Sequence, residues 1–332
     1  MTIDFLNVLL TVLSLVMLAV PGFIMAKLKM FSENGSEVLS TVVLYCCQTF
    51  IVFMSFQSYE YSPTIGLNML YMALLAFAVH FVMIAIVLIF VKGKEEAKAK
   101  CVRYGSVFGN CGYIGIPLIK MLFSDSPYLG EVLIYTAIVI TVWNILNWTL
   151  GVYIITKDKK QIAPKKIIFN PVIIAVLLGL ISFLTLQKPI ADVATEGSFL
   201  DSLLEKLMMS FNYLGDAVTP LSMVVVGMRL ANVNLKQLFL DKYAYLQCTL
   251  KLVVMSLVCI LLVAFIPVSV TVKYALFFTM SMPAATSTAL FAVKFKGDGD
   301  FGSICVLLST ILSILTIPLM FLLFSQGFGV TI

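Results

Sequence analysis

Residues 105–118 read Gly105-Ser-Val-Phe-Gly109-Asn110-Cys-Gly112-Tyr113-Ile-Gly115-Ile-Pro117-Leu118. The run is apolar enough for a membrane helix, yet four glycines, an asparagine and a proline interrupt it. Proline lacks an N–H and clashes with the preceding turn, and glycine weakens a helix interior. The other half of the chain carries a second such run, Met280-Ser281-Met282-Pro283-Ala284-Ala285-Thr286-Ser287-Thr288-Ala289. Backbone broken at bilayer depth is tolerated only inside protein or beside a water-filled cavity. A pair of interrupted spans at matching places in two halves is the best sequence pointer to a secondary transporter's substrate site.

Composition says that both runs lie in lipid. Hydrophobic residues make up 61% of the 332 positions and charged residues 12%. A soluble domain is nearer half apolar and a quarter charged. A hydrocarbon core of about 30 Å needs roughly 20 helical residues. That ruler marks ten spans, near 4–26, 38–58, 65–91, 102–123, 130–156, 170–187, 205–230, 243–267, 270–293 and 302–326. The first lacks a basic leader and a cleavage site, so it is expected to be a mature span.

The basic residues sort by loop. With span ends good to about 2–4 residues, seventeen of the 22 Lys and Arg fall in or at the edges of odd-numbered loops, among them Lys94, Arg103, Lys157, Lys236 and Lys296, four fall in or at the edges of even-numbered loops, and Lys251 lies well inside a span. The positive-inside rule then puts the odd loops in the cytoplasm and both termini outside. The net charge of +5 follows this topology and is no sign of a nucleic-acid partner. Ten spans divide as five plus five, and an odd number per half forces any repeat to be inverted. The sequence therefore predicts an all-α integral membrane protein of ten transmembrane helices in two inverted five-helix repeats, with the fourth and ninth helices broken. Residues 1–156 form the first repeat, 157–169 a cytoplasmic linker and 170–332 the second repeat. A multi-pass protein of the cell membrane (plasma or inner) is expected.

Other classes lack their residues. No G-x-x-x-x-G-K-[ST] binds ATP, and no nucleophile–base pair is readable, so the chain is not expected to be an enzyme. The single histidine, His80, excludes a histidine-based zinc cluster, and the seven cysteines read as small packing residues. No cofactor is expected. Lys296-Gly-Asp298-Gly-Asp300 lacks the spacing of a calcium loop and reads as a turn.

Four segments resemble the auxin efflux carrier (PIN-like) family, in its bacterial form. They are Gly109-Asn110-Cys-Gly-Tyr-Ile-Gly-Ile-Pro117-Leu118, Pro220-Leu-Ser-Met-Val-Val-Val-Gly227-Met-Arg-Leu-Ala231, Pro283-Ala-Ala with Phe291-Ala292, and Leu308-Ser309-Thr310 through Thr316-Ile-Pro318-Leu. The resemblance covers the whole chain. It implies that the two broken helices cross near mid-membrane and that the substrate is a small organic anion, and it suggests a homodimer. Asn110 matches a ligand-contacting Asn of the plant carriers. Two departures stand out: the link between spans five and six is short and basic where the plant carriers have a long loop, and Cys46-Cys47-Gln48 occupies the part of span two where relatives often have proline.

The expected substrate site gathers Asn110, Gly112, Tyr113 and Pro117 from the first run with Ser281, Met282, Pro283, Ala284 and Thr286 from the second. Half-helix N-termini offer free N–H groups and partial positive charge to a carboxylate. Asn110 adds an amide, and the hydroxyls add polar contacts. The alternative is that the glycines and hydroxyls only pack helices, as small residues in membranes do. Asn144 and Asn147 share one helix face, and Asn144 either lines the cavity or ties its helix to a neighbour. Three ionisable groups inside spans are candidates for coupling to Na⁺ or H⁺. Asp216 carries a coupling ion or sits solvated in an outer vestibule. Lys251 attracts the anion or snorkels. His80 relays a proton or simply bonds a neighbouring helix. A secondary carrier for an organic carboxylate is the leading expectation, with an anion channel or a membrane-embedded sensor as alternatives.

Overall fold

The computed structural model describes residues 3–32, 34–92, 96–162, 164–231, 238–295 and 298–328. Lys94, Lys236 and Lys296 of the loop pattern lie outside the described residues. The main helices are α1 (Phe5–Lys27), α2 (Gly35–Ser55), α3 (Pro63–Phe90), α4 (Glu96–Val107), α5 (Cys111–Leu122), α6 (Leu129–Thr156), α7 (Pro171–Leu186), α8 (Phe199–Ala231), α9 (Lys242–Ala264), α10 (Val270–Met280), α11 (Ser287–Lys294) and α12 (Gly299–Phe328).

Local chemistry sets the starts and stops. Asp4, Ser62, Asn170, Ser198, Asp241 and Ser269 each accept a backbone N–H of the helix that follows. Such caps replace an intrahelical partner that the first turn lacks. Pro63 and Pro171 follow their caps directly, where a missing N–H does no harm. Lys157 and Gln187 take φ of 58° and end α6 and α7. Asp298 accepts from the N–H of Phe301 at 2.9 Å at the start of α12, while Lys296 and Gly297 of the stretch read as a turn lie outside the described residues.

Among the described residues, eight helices are long and apolar enough to cross a membrane. They coincide with eight of the ten expected spans. The other two, 102–123 and 270–293, are each divided: α4 and α5 are separated at Phe108–Asn110, and α10 and α11 at Ser281–Thr286. Division leaves apolar helices of Cys111–Leu122 and Val270–Met280, too short for the length test. Pro283 lies within its break, whereas Pro117 lies beyond the first one, in α5. That first break rests on Asn110, whose φ of −84° and ψ of 55° leave the helical region.

Outward faces are apolar: Leu6, Leu10 and Met17 of α1, Leu178 and Ile181 of α7 and Leu203 of α8 are all exposed. Such faces suit lipid, and the molecule is a multi-pass membrane protein. Inside, α1 packs closely on α8, because a side chain at Gly22 would collide with the Val224 carbonyl and one at Gly227 with that of Ala19. Within α8 the joint at Ala217 falls just before Pro220, which cannot donate to the Asp216 carbonyl.

Candidate functional site

The two breaks meet. The Asn110 N–H donates to the Pro283 carbonyl at 2.7 Å, and the Ala285 N–H donates to the Phe108 carbonyl at 2.9 Å. Together they form an antiparallel bridge between Gly109 and Ala284. Unwinding frees backbone groups that lipid cannot satisfy, and here each break supplies the other's partner. The remaining Ala284 N–H donates to Ser309 Oγ of α12 at 3.0 Å.

Asn110 is buried at this junction. Its Oδ1 accepts from the Tyr113 N–H at 3.3 Å, and its own carbonyl accepts from Ile114 and Gly115. The side chain thus caps α5, which opens with a wide π turn over Cys111–Gly115. Such turns often mark functional sites. Others span Val43–Cys47 just before Gln48, Asn147–Gly151, and Thr249–Val254 around Lys251. Gly112 faces α2, where a side chain in its place would strike the Gln48 amide. The Tyr113 hydroxyl donates to the Ser40 carbonyl at 2.8 Å, and Arg229 of α8 donates to Ser40 Oγ at 3.0 Å. On the opposing run, Ser281 Oγ lies 2.9 Å from Ser256 Oγ, and Met282 packs beside Gly115. Thr286 stands half-buried before α11.

The structure therefore brings Asn110, Gly112, Tyr113, Ser281, Met282, Pro283 and Ala284 to one junction. Asn144 is turned elsewhere: its Nδ2 donates to the Ile140 carbonyl and its Oδ1 accepts from Asn170, joining α6 to the start of α7. Asn147 comes closer to the breaks, since the Tyr104 hydroxyl of α4 donates to its Oδ1 and also lies 2.7 Å from Ser287 Oγ of α11. Asp216 is largely exposed and pairs with Lys120 at 2.5 Å. His80 is fully buried, with Nδ1 2.7 Å from the Ala76 carbonyl of its own helix and Nε2 unpartnered. Lys251 is fully buried and donates to the Met280 carbonyl at 3.2 Å, at the end of α10. Among the described residues no group of three or more His, Cys, Asp or Glu is placed to hold a metal ion.

Residues 7–321 match the family model described as membrane transport protein. The chain belongs to this family. It is the auxin-efflux-carrier-like group that its motifs resemble. The chain is also similar to an uncharacterized transporter of Methanothermobacter thermautotrophicus, 26% identical over 316 residues that cover 93% of this chain and 96% of that one. Membership makes transport the function of this membrane transport protein, and the family is not one of enzymes.

In this transport protein, sequence reasoning singled out only Lys251 as functional among the residues of other helices that hold the breaks in place. Three lie on one flank of α9: Gln247 donates to the Gly105 carbonyl at 2.9 Å, Lys251 reaches Met280, and Ser256 reaches Ser281. Polar residues recurring at near-helical intervals inside an apolar span were the available signal. Ser309 and Gln48 were visible as polar residues in apolar helices, but their partners are remote in sequence.

Proposed function

We propose that the chain is a secondary carrier that moves a small organic anion, a carboxylate, across the cell membrane by alternating access. The substrate binds where the fourth and ninth of ten membrane helices cross, each broken, in two inverted five-helix repeats with both termini outside. The observation that carries this reading is the backbone pairing of Phe108–Asn110 with Pro283–Ala285 inside an apolar protein. Two helices, α5 and α11, begin at this junction, and their first N–H groups and dipoles favour a carboxylate. Asn110 adds an amide whose Nδ2 is not committed to its capping bond. A homodimer remains part of the reading on family grounds.

Reconstituted protein tests it. A panel of mono- and dicarboxylates, screened by thermal shift with and without sodium, should contain at least one stabilising anion. Counterflow of that anion in proteoliposomes should saturate. Asn110→Ala should lower the flux about tenfold or more while leaving expression intact, because a hydrogen bond to a charged group is worth about 1.5–3 kcal/mol. Unsaturable flux would indicate a channel. Binding without flux would indicate a sensor. Wild-type flux from the variant would remove Asn110 from the site.

A further inference from the structure

Lys251 has an environment that ordinary packing does not account for. Its side chain is fully buried, so its ammonium does not snorkel to a surface. Among the described residues no carboxylate lies within ion-pair distance of it. Its Nζ donates to the Met280 carbonyl at 3.2 Å and lies 3.1 Å from Met255 Sδ. The titratable side chains nearest to it are the thiols of Cys111 and Cys259 and the His80 ring. An isolated ammonium in such surroundings is expensive unless dipoles or an anion compensate it.

The compensation at hand comes from the two breaks. Met280 is the last residue of α10, and a helix's final carbonyls carry partial negative charge. Nζ also lies against the other break. A Cβ at Gly109 would stand 2.7 Å from Nζ and 3.3 Å from the Met282 carbonyl. The ammonium is therefore wedged between the carbonyl end of one half-helix and the unwound turn of the other. In carriers built from broken helices, free carbonyls and half-helix C-terminal ends are where a coupling Na⁺ is coordinated.

We propose that the Lys251 ammonium is a tethered cation seated in the position that a coupling Na⁺ takes in such carriers, so that this site meets its anion without free sodium. The inference rests on the carrier reading and deepens it: the bound carboxylate is neutralised by a charge that belongs to the protein. Gly109 is glycine because the ammonium needs its space.

The test uses purified full-length protein in lipid nanodiscs, melted in sodium chloride and in choline chloride at equal ionic strength. Wild type is expected to melt at one temperature in both salts. Lys251→Ala is expected to melt several degrees lower in choline and to recover in methylammonium or sodium, which fit the vacated space while choline does not. Wild type that gains stability from sodium would overturn the proposal, as would a Lys251→Ala protein indifferent to the choice of cation. Should that variant not fold, Gly109→Ala provides the second measurement. It is expected to lower the melting temperature of wild type, and to do so less in a Lys251→Met background, where the longer reach and charge are gone. Equal loss in both backgrounds would place the ammonium elsewhere and end the case. None of these readings requires a transported anion, so failure of the counterflow test and failure of this one are told apart.

Discussion

Gly112 and Gln48 show how a single methyl group bears on the junction. A Cβ at position 112 runs into the Gln48 amide, which is the movable end of its side chain. Gly112→Ala is therefore expected to swing that amide away with little loss of stability, while weakening anion binding several-fold in titrations followed by thermal shift. Gln48→Ala should give the same affinity defect, and the double variant should be no worse than either single one. Asp216 sits at the opposite extreme. Its side chain is 65% exposed, and its ion pair with Lys120 is of the kind worth about 0–1 kcal/mol. Asp216→Asn should leave flux and melting temperature nearly unchanged. A loss of flux with intact folding would return Asp216 to the coupling pathway.

At the scale of the helix, the second break depends on Ser309. Its Oγ accepts from the Ala284 N–H and donates to the Val306 carbonyl at 2.9 Å. Ser309→Ala leaves a buried N–H without a partner, which costs about 1–3 kcal/mol. A clear drop in melting temperature is expected, and an unchanged one would mean that the Ala284 N–H finds another acceptor. Much at this scale was legible in the sequence. The 20-residue ruler located eight long helices, and the glycines and prolines marked both interrupted ones. The place of the first interruption was not legible. Pro117 pointed to the wrong turn, because the chain departs from helix at Asn110, and a π turn carries it on towards the proline. Nor did the sequence reveal that α9 braces both breaks, since Gln247, Lys251 and Ser256 look like isolated polar intrusions until their remote partners are in view. The family strings marked Asn110 and Pro283 but not what they bind to each other.

For the whole molecule, the distribution of lysine and arginine is the best guide to orientation. A bacterial alkaline phosphatase fused after residue 332 should be active, and a green fluorescent protein at the same point should stay dark, if the C-terminus is outside. The opposite pattern would reverse the topology and exchange the two mouths of the site. The close approach of α1 and α8 through Gly22 and Gly227 makes a second demand on the assembled bundle. Gly227→Val collides with the Ala19 carbonyl, which is backbone and cannot turn aside, so the variant is expected to be lost from the membrane fraction.

The bridge between Gly109 and Ala284 constrains how such a molecule can move. Pulling the two strands apart would leave two buried donors and two buried acceptors without their partners, at a cost of about 1–3 kcal/mol for each group left unpaired. In the carrier proposed above the two strands therefore travel as one body, and access alternates at the seams where that body meets its neighbours. A covalent staple inside the pair should then be harmless to turnover, while the same staple thrown from it to α1 should freeze the machine.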